Sequence, residues 1–146
     1  MDSLKAMMEP IKRRIMMAVA RAVVRGVTDS GGRQQLQIEL MKGELRADVE
    51  RMQDYGITSV PLPGADAGVV FVAGNREQGI ILAVDDRRYR PTGLQPGEVC
   101  IYTNQANHRV LMKAGQEIHL TAGASSIVMK PTGITITAPV INFVQG

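Results

Sequence analysis

The chain has 146 residues and 45% of them are hydrophobic, which excludes an unfolded chain and fits one domain or two small ones. Only 3% are aromatic, so a large core built on rings is not expected. The net charge of +3 is too small to indicate nucleic-acid binding by itself.

Residues 1–26 are predicted to form a helix. Pro10 is best tolerated in a first turn, so its regular part is expected to begin near Pro10 and to end before Gly26. Basic side chains lie largely off the apolar face, which allows either a membrane or nucleic-acid surface or, the favoured interpretation, a packing helix of an oligomer. The apolar face is formed by Leu4, Met8, Ile11, Ile15, Val19 and Ala22.

Residues 27–104 contain short apolar or alternating runs separated by Gly and Pro, the pattern of a small antiparallel barrel. Gly68–Ala73 and Gly79–Val84 are expected to form a hairpin across the Gly74-Asn75 turn. The size and strand count fit a five-stranded barrel of the oligonucleotide/oligosaccharide-binding (OB) type. The predicted strands are Gln34–Met41, Ile57–Val60, Gly68–Ala73, Gly79–Val84 and Glu98–Thr103.

Residues 105–146 alternate with a period of two through short strands and very short turns, which predicts β-structure. The predicted strands are Asn107–Lys113, Glu117–Thr121, Ser126–Lys130, Gly133–Thr137 and Pro139–Val144. One face holds Ile118, Leu120, Ile127, Met129, Ile134 and Ile136, and the other holds His119, Val128 and Thr135. So few apolar residues cannot form a core in one chain, so we expect another copy of the chain to cover them.

Catalytic and metal-binding patterns are missing from the sequence, so no enzyme is predicted. The lone Cys100 is expected to be a small buried hydrophobe in a protein made in a reducing compartment. His108 and His119 are too far apart for a local metal pair, and Asp85-Asp86 is interpreted as a solvated turn. No run approaches the ~20 apolar residues that span a bilayer, and charges interrupt any signal-peptide pattern at the N-terminus.

A basic cluster around one tyrosine is the other feature with functional meaning. On an OB-type barrel such a cluster could stack a nucleic-acid base, but one aromatic beside Asp85 and Asp86 is thin support. A protein-contact loop is therefore favoured, and specific nucleic-acid binding is not expected. The cluster consists of Arg87, Arg88, Tyr89 and Arg90.

The predicted elements follow in a characteristic order: a basic helix, a small barrel and a Thr/Ile/Val-rich alternating tail. Three segments of the sequence are also characteristic. They are GIILAVDDRRYRPTGLQPGEVCIYT, EIHLTAGASSIVMK and GITITAPVINF. In this order and in these segments the chain resembles the baseplate spikes of contractile-tailed phages, the Mu-like baseplate assembly protein V family. More distantly it is similar to spikes of R-type pyocins and type VI secretion.

The resemblance implies a mainly β homotrimer located in the virion after synthesis in the host cytoplasm. The OB-type barrel (27–104), which follows a helix (1–26), would form a collar that docks on the tail hub, with Arg87–Arg90 as a hub-contact loop. Residues 105–146 would intertwine into a triple-stranded β-helix that mechanically pierces the host outer membrane. The alternative is an oligomeric OB module that binds single-stranded nucleic acid or oligosaccharide.

The spike tip departs from the family pattern. Members often have a His-x-His near the C-terminus that binds iron at the apex, and this sequence has no such pair. No cofactor is therefore predicted. An apex closed by apolar packing of Val140, Ile141, Phe143 and Val144 is expected instead. Asn142, which belongs to the same apex, could hold a hard ion or a water molecule.

Overall fold

A computed structural model describes the backbone of residues 2–144 and the side chains of residues 4–144. The chain divides into two compact units, residues 1–87 and residues 88–146. The first unit contains α1 (Asp2–Met16), β1 (Val19–Thr28), β2 (Gln34–Glu39), β3 (Leu45–Arg51), β4 (Asp66–Phe71), a 3₁₀ turn (Val72–Gly74) and β5 (Gly79–Asp85). The second contains β6 (Val99–Tyr102), β7 (His108–Lys113), β8 (Glu117–Ala122), β9 (Ser125–Lys130) and β10 (Gly133–Thr137).

The strands of the first unit close into a barrel in the order β1-β2-β3-β5-β4, with β4 returning to pair with β1. All neighbours are antiparallel except β3 and β5, which run parallel. The predicted barrel was wholly antiparallel, and that part of the prediction was wrong. Because β4 lies between β1 and β5, the chain reverses once more before β5 and brings it alongside β3 in the same direction.

The barrel has a fully buried core. Alternation along β2 and β4 sends every second side chain inward, as the sequence predicted for β2. Leu36, Ile38, Val24, Val69 and Ile81 are each 0% exposed. Aliphatic side chains of this size, fully removed from water, each stabilise the fold by roughly 1.5–3 kcal/mol.

The predicted helix over residues 1–26 was too long, because α1 ends at Met16 and β1 begins at Val19. Valines are frequent from Val19 onward, and β-branched side chains favour strands. Pairing of this segment with both β2 and β4 then overrides the helical spacing of its apolar residues. At the other end α1 runs through Pro10 rather than beginning there, at the loss of one intrahelical hydrogen bond.

The end of α1 packs closely on the 3₁₀ turn after β4. Gly74 has φ +72°, and a Cβ built on it would lie 2.5 Å from the Arg14 carbonyl oxygen. The Phe71 amide donates to the Ala18 carbonyl at 2.8 Å just beyond the helix. Only glycine allows this approach, so the turn fixes the C-terminal end of α1 to the barrel.

The predicted strand Ile57–Val60 is not a strand. Hydrogen bonds from side chains, rather than the backbone ladder of a sheet, hold this segment. The Ser59 amide donates to Gln53 Oε1 at 2.8 Å, and Arg51 Nη1 donates to the Ser59 carbonyl at 2.6 Å. The nearby Pro61 and Pro63 lack the amide hydrogens that a ladder needs. The polar run 45–51, ambiguous in sequence, is instead a barrel strand.

The second unit is a five-stranded antiparallel meander in the order β10-β9-β8-β7-β6. Strand β6 had been predicted within the barrel, but it pairs with β7. The predicted strand Pro139–Val144 is not formed within the described residues 139–144, since Pro139 cannot donate to a ladder after β10. Strands β8, β9 and β10 match their predicted ranges to within one residue.

Replacing Gly74 by alanine should loosen α1 from the barrel, because the new Cβ collides with the backbone at Arg14. We expect the free energy of unfolding to fall by about 1–3 kcal/mol and trypsin to cleave faster at residues 12–14. Denaturant unfolding and timed proteolysis measure both. Gly32→Ala, where a Cβ meets nothing within 4 Å, is the matched control. Unchanged proteolysis of Gly74→Ala would show that this contact does not hold the helix.

Candidate functional site

Two cross-strand ladders of apolar side chains cross the second sheet. Partners on adjacent antiparallel strands share a face, and the register aligns five apolar positions twice. The six residues predicted for a trimer core all fall in these ladders, joined by four from β6 and β7. The first ladder is Val99, Met112, Ile118, Met129 and Ile134, and the second is Ile101, Val110, Leu120, Ile127 and Ile136.

This apolar face is uncovered in the single chain. Ile134 is 67% exposed, Ile101 53% and Ile136 52%. Among described residues 88–144 no side chain is fully buried, whereas the barrel has a complete core. Six of the ten ladder side chains are exposed, whereas Val110, Ile118, Leu120 and Met129 are half-buried. An apolar face exposed to this extent marks an interaction surface.

A hollow of about 600 Å³ follows the second ladder. Ile101, Leu120 and Ile136 line it, and the chain after β10 borders it through Val140 and Ile141. The other predicted apex residues are not part of its lining. Of these, Phe143 is 92% exposed and Val144 89%. The predicted apex thus contains two residues beside the ladder and further apolar side chains open to solvent.

The opposite face of the sheet has apolar side chains among polar ones and carries an ion-pair group. His119 lies here, across from Leu111 and Val128, as the alternation predicted. Its Nε2 is 2.7 Å from Glu117 Oε2, and Lys130 Nζ is 3.5 Å from Glu117 Oε1. The hydrogen bond from His119, followed by the charge of Lys130, lowers the pKa of Glu117. The ion pairs thus lie on the face opposite the ladders.

Cys100 lies in β6 as a free thiol, paired across the strand with Leu111. It is half-buried, so it is less enclosed in the single chain than the sequence predicted. Its cross-strand partner places it on the face of His119 and not among the ladders.

The predicted contact loop is partly occupied by internal contacts. Arg87 donates to Asp66 Oδ2 from Nε at 3.0 Å and from Nη2 at 2.5 Å. This hydrogen bonding raises the pKa of Arg87, and the Arg87 charge is paired with that of Asp66 in β4. The Arg88 guanidinium lies 5.3 Å from the centre of the Tyr89 ring. Neither arrangement is the open basic-aromatic platform that base stacking requires.

A buried polar network in the barrel was missed by the sequence reasoning. Gln34 is 5% exposed, and its Nε2 donates to Asp29 Oδ1 at 2.8 Å and to the Ser59 carbonyl at 3.0 Å. Arg51 Nη1 donates to Gln34 Oε1 at 2.8 Å, and burial lowers the pKa of Arg51. Gln34 stands two residues before Leu36 in β2 and therefore faces the barrel interior as Leu36 does. This alternation was the signal in the sequence that Gln34 is buried. The network fixes a loop and provides no nucleophile.

Metal sites and membrane-spanning helices are the remaining features with functional meaning. In the part of the chain that the structure describes, no group of three or more His, Cys, Asp or Glu side chains is placed to hold a metal ion. No described helix has the length and apolar content needed to cross a membrane. The uncovered ladders are therefore the feature on which a functional argument can rest.

The barrel is the part of the chain that matches the model of a known protein family. Residues 21–88 match the family model for bacteriophage Mu Gp45, N-terminal, and these residues contain β1 from Arg21 onward through β5. Over these residues the chain is similar to the Mu Gp45 family. The resemblance to Mu-like baseplate proteins inferred from the sequence is thereby confirmed.

Two relatives extend the similarity beyond the barrel. The chain is 44% identical over 115 residues to the baseplate puncturing device gp45 of Escherichia phage Mu, covering 79% of this chain and 58% of the relative. It is 39% identical over 118 residues to the Mu-like prophage FluMu protein gp45 of Haemophilus influenzae, covering 81% and 64%. The chain therefore spans about three fifths of the length of the Gp45 relatives it matches.

The acid sensitivity of the sheet should depend on Glu117. Because its folded pKa is lowered, the stabilisation from its partners is present above about 4.5 and is lost as the pH falls through the folded value. We expect Glu117→Gln to show a smaller drop in thermal midpoint than the wild type between about pH 6 and about pH 3.5. Glu77→Gln, on the barrel, should keep the wild-type drop. An equal drop in Glu117→Gln and wild type would contradict the assignment.

Proposed function

We propose that the protein forms the baseplate spike of a contractile-tailed phage or a related particle, as a homotrimer located in the virion. Its relatives include a baseplate puncturing device, and residues 21–88 match the Gp45 family. The observation that supports the assembly most directly is the pair of uncovered apolar ladders in the second sheet.

Three copies satisfy what a single sheet lacks. Each copy would contribute one apolar face, and the three faces together would enclose a core around a common axis. Among the described strands, β6 and β10 are the two that end the sheet order, and neighbouring copies could pair beside them. An intertwined triple-stranded β-helix does both, which is why we favour it over a flat stacked dimer. The face with Glu117 and His119 would then lie outside.

The barrel would act as the collar that joins the spike to the tail hub. Its closed order and its parallel β3–β5 pair are compatible with an OB-type barrel. The segment Arg87–Arg90 is a proposed hub contact, with Arg87 held in place by Asp66. The sequence offers no catalytic arrangement, so the proposed action is mechanical.

Force on the assembled spike would drive its narrow end through the host outer membrane. A closed β-structure suits this task because it has no free edges and resists bending. The exposed apolar residues from Val140 to Val144 remain the proposed apex, since apolar groups suit first contact with lipid. No metal is required for that step.

Trimer formation should fail when a charge enters the second ladder. We expect Ile136→Asp to place carboxylates in a dry core and to sediment as a monomer of 15.8 kDa, while the wild type sediments at three times that mass. Sedimentation equilibrium measures the two masses directly. The barrel should remain folded in the variant, which its own unfolding transition would report.

The matched control is the neighbouring residue on the other face. Thr135 is exposed and pairs with Val128, so Thr135→Asp should leave the trimer intact. A wild-type monomer would overturn the spike proposal. Equal loss of assembly in both variants would contradict the assignment of the ladders as the trimer core.

A further inference from the structure

His108 lies on the same face of the second sheet as the apolar ladders. It stands two residues before Val110 in β7 and pairs across the strands with Ala122 of β8. Its place is therefore one row beyond the second ladder, and it helps to line the hollow that follows this ladder. The side chain is exposed in the single chain. A copy that covers the second ladder must therefore cover or border His108.

The other titratable side chains of these strands belong to the opposite face. Side chains alternate between the two faces along β6 to β10, and the register fixes which positions share the ladder face. Among the described strands of this sheet, His108 is thus the one titratable group that the ladder face carries. The groups on the opposite face are Cys100, Tyr102, Arg109, Lys113, Glu117, His119 and Lys130.

A neutral hydrogen bond holds the imidazole of His108 at this end of the hollow. Its Nδ1 lies 3.0 Å from the Thr103 hydroxyl oxygen, and the Thr103 amide donates to the His108 carbonyl at 3.2 Å. A hydroxyl group satisfies one ring nitrogen without carrying a charge. The contact therefore suits a neutral imidazole, and it does not neutralise an imidazolium.

No carboxylate is placed to pair with a protonated His108. The described lining of the hollow contains no Asp or Glu, whereas Arg109 and Tyr102 line it together with His108. The carboxylates of described residues 88–144 are Glu98 and Glu117. Glu98 accepts a hydrogen bond from the Gln95 amide, and Glu117 pairs with side chains of the opposite face. A second copy of the same sheet presents the same face and brings no carboxylate to it.

The charge of His108 therefore matters more between copies than in the single chain. In water an imidazolium is solvated, but in an apolar interface an unpaired charge is costly. A proton on His108 would also add to the positive charge of Arg109 at the border of the hollow. Histidine is the side chain that ordinarily gains its charge between about pH 8 and about pH 5.

We propose that His108 makes association of the copies sensitive to pH. This inference rests on the trimer of the proposed function. The copies associate through the ladder face with His108 neutral, and protonation of His108 opposes the association. Because the separate copies bind protons that the assembled trimer excludes, the trimer is favoured at neutral pH and weakens as the pH falls below about 6.5.

The test compares dissociation of the full-length trimer at about pH 7.5 and about pH 5.5, a range in which histidines titrate. The pKa of Glu117 is lowered, so Glu117 stays ionised throughout. Sedimentation in graded urea at one chain concentration gives the midpoint of dissociation, even for a trimer that persists in water. We expect acid to lower the wild-type midpoint by the equivalent of about a hundredfold or more in association constant, since each copy contributes one His108.

Three variants separate His108 from the other histidine. His108→Gln cannot gain a charge and should give nearly the same midpoint at both pH values. His119→Gln removes the histidine of the opposite face, so this matched control should keep the wild-type difference. His108→Lys is charged at both pH values and should lower the midpoint at each.

The outcomes distinguish this inference from the proposed function. A wild-type midpoint that does not change with pH, or an unchanged difference in His108→Gln, would overturn the inference and leave the spike proposal standing. A His108→Lys trimer as stable as the wild type at the higher pH would also overturn it, because the interface would then accept a charge at this position. Loss of the difference in His119→Gln would assign the pH dependence to the opposite face. A wild-type monomer at the higher pH would instead refute the trimer itself.

Discussion

The second sheet depends on an apolar face that its own chain cannot cover. Ten aliphatic or methionine side chains stand in two ladders, and antiparallel register keeps them on one side. Burying such side chains is the dominant favourable term in folding, and here most of that term is left to another surface. In the barrel the same kinds of residue face inward and are covered within one chain. The barrel can therefore be stable by itself, whereas the sheet would gain a core in the proposed assembly.

This division has a thermodynamic consequence for the proposed spike. When folding of a segment is coupled to association, its stability depends on the concentration of the chain. The barrel would supply folded protein at every concentration, and the sheet would acquire its stability from neighbouring copies. The ion pairs of Glu117 with His119 and Lys130 contribute little beside this, because they lie on the face opposite the ladders, in contact with water.

Sequence periodicity predicted the sheet well because a period of two decides which side chains share a face. Ile127 and Ile136 were assigned correctly to one side, and His119 to the other. The same reasoning failed at Val19. The apolar spacing there is compatible with a helix, but the segment pairs with β4 to close the barrel. It failed again at Ile57, since proline-rich segments held by side-chain hydrogen bonds leave no periodic pattern.

The candidate site was predictable in part. The six ladder residues from β8 to β10 follow from alternation, but Val99 and Ile101 required knowledge that β6 joins the second sheet. The pairing of Arg87 with Asp66 joins residues far apart in sequence, so the cluster looked like a free basic patch. Gln34 was hidden for a similar reason, because its partners Arg51 and Ser59 reach it only once the barrel closes.

The border of the second ladder is mostly uncharged but not wholly so. Thr121, Ser126 and Thr137 line the hollow beside this ladder, and His108 and Arg109 line it too. In the proposed trimer Arg109 would have to stay at the rim in contact with water, because burial of an unpaired charge is costly. Apolar burial would then supply the affinity, while the charge at the rim would limit how the copies can be arranged.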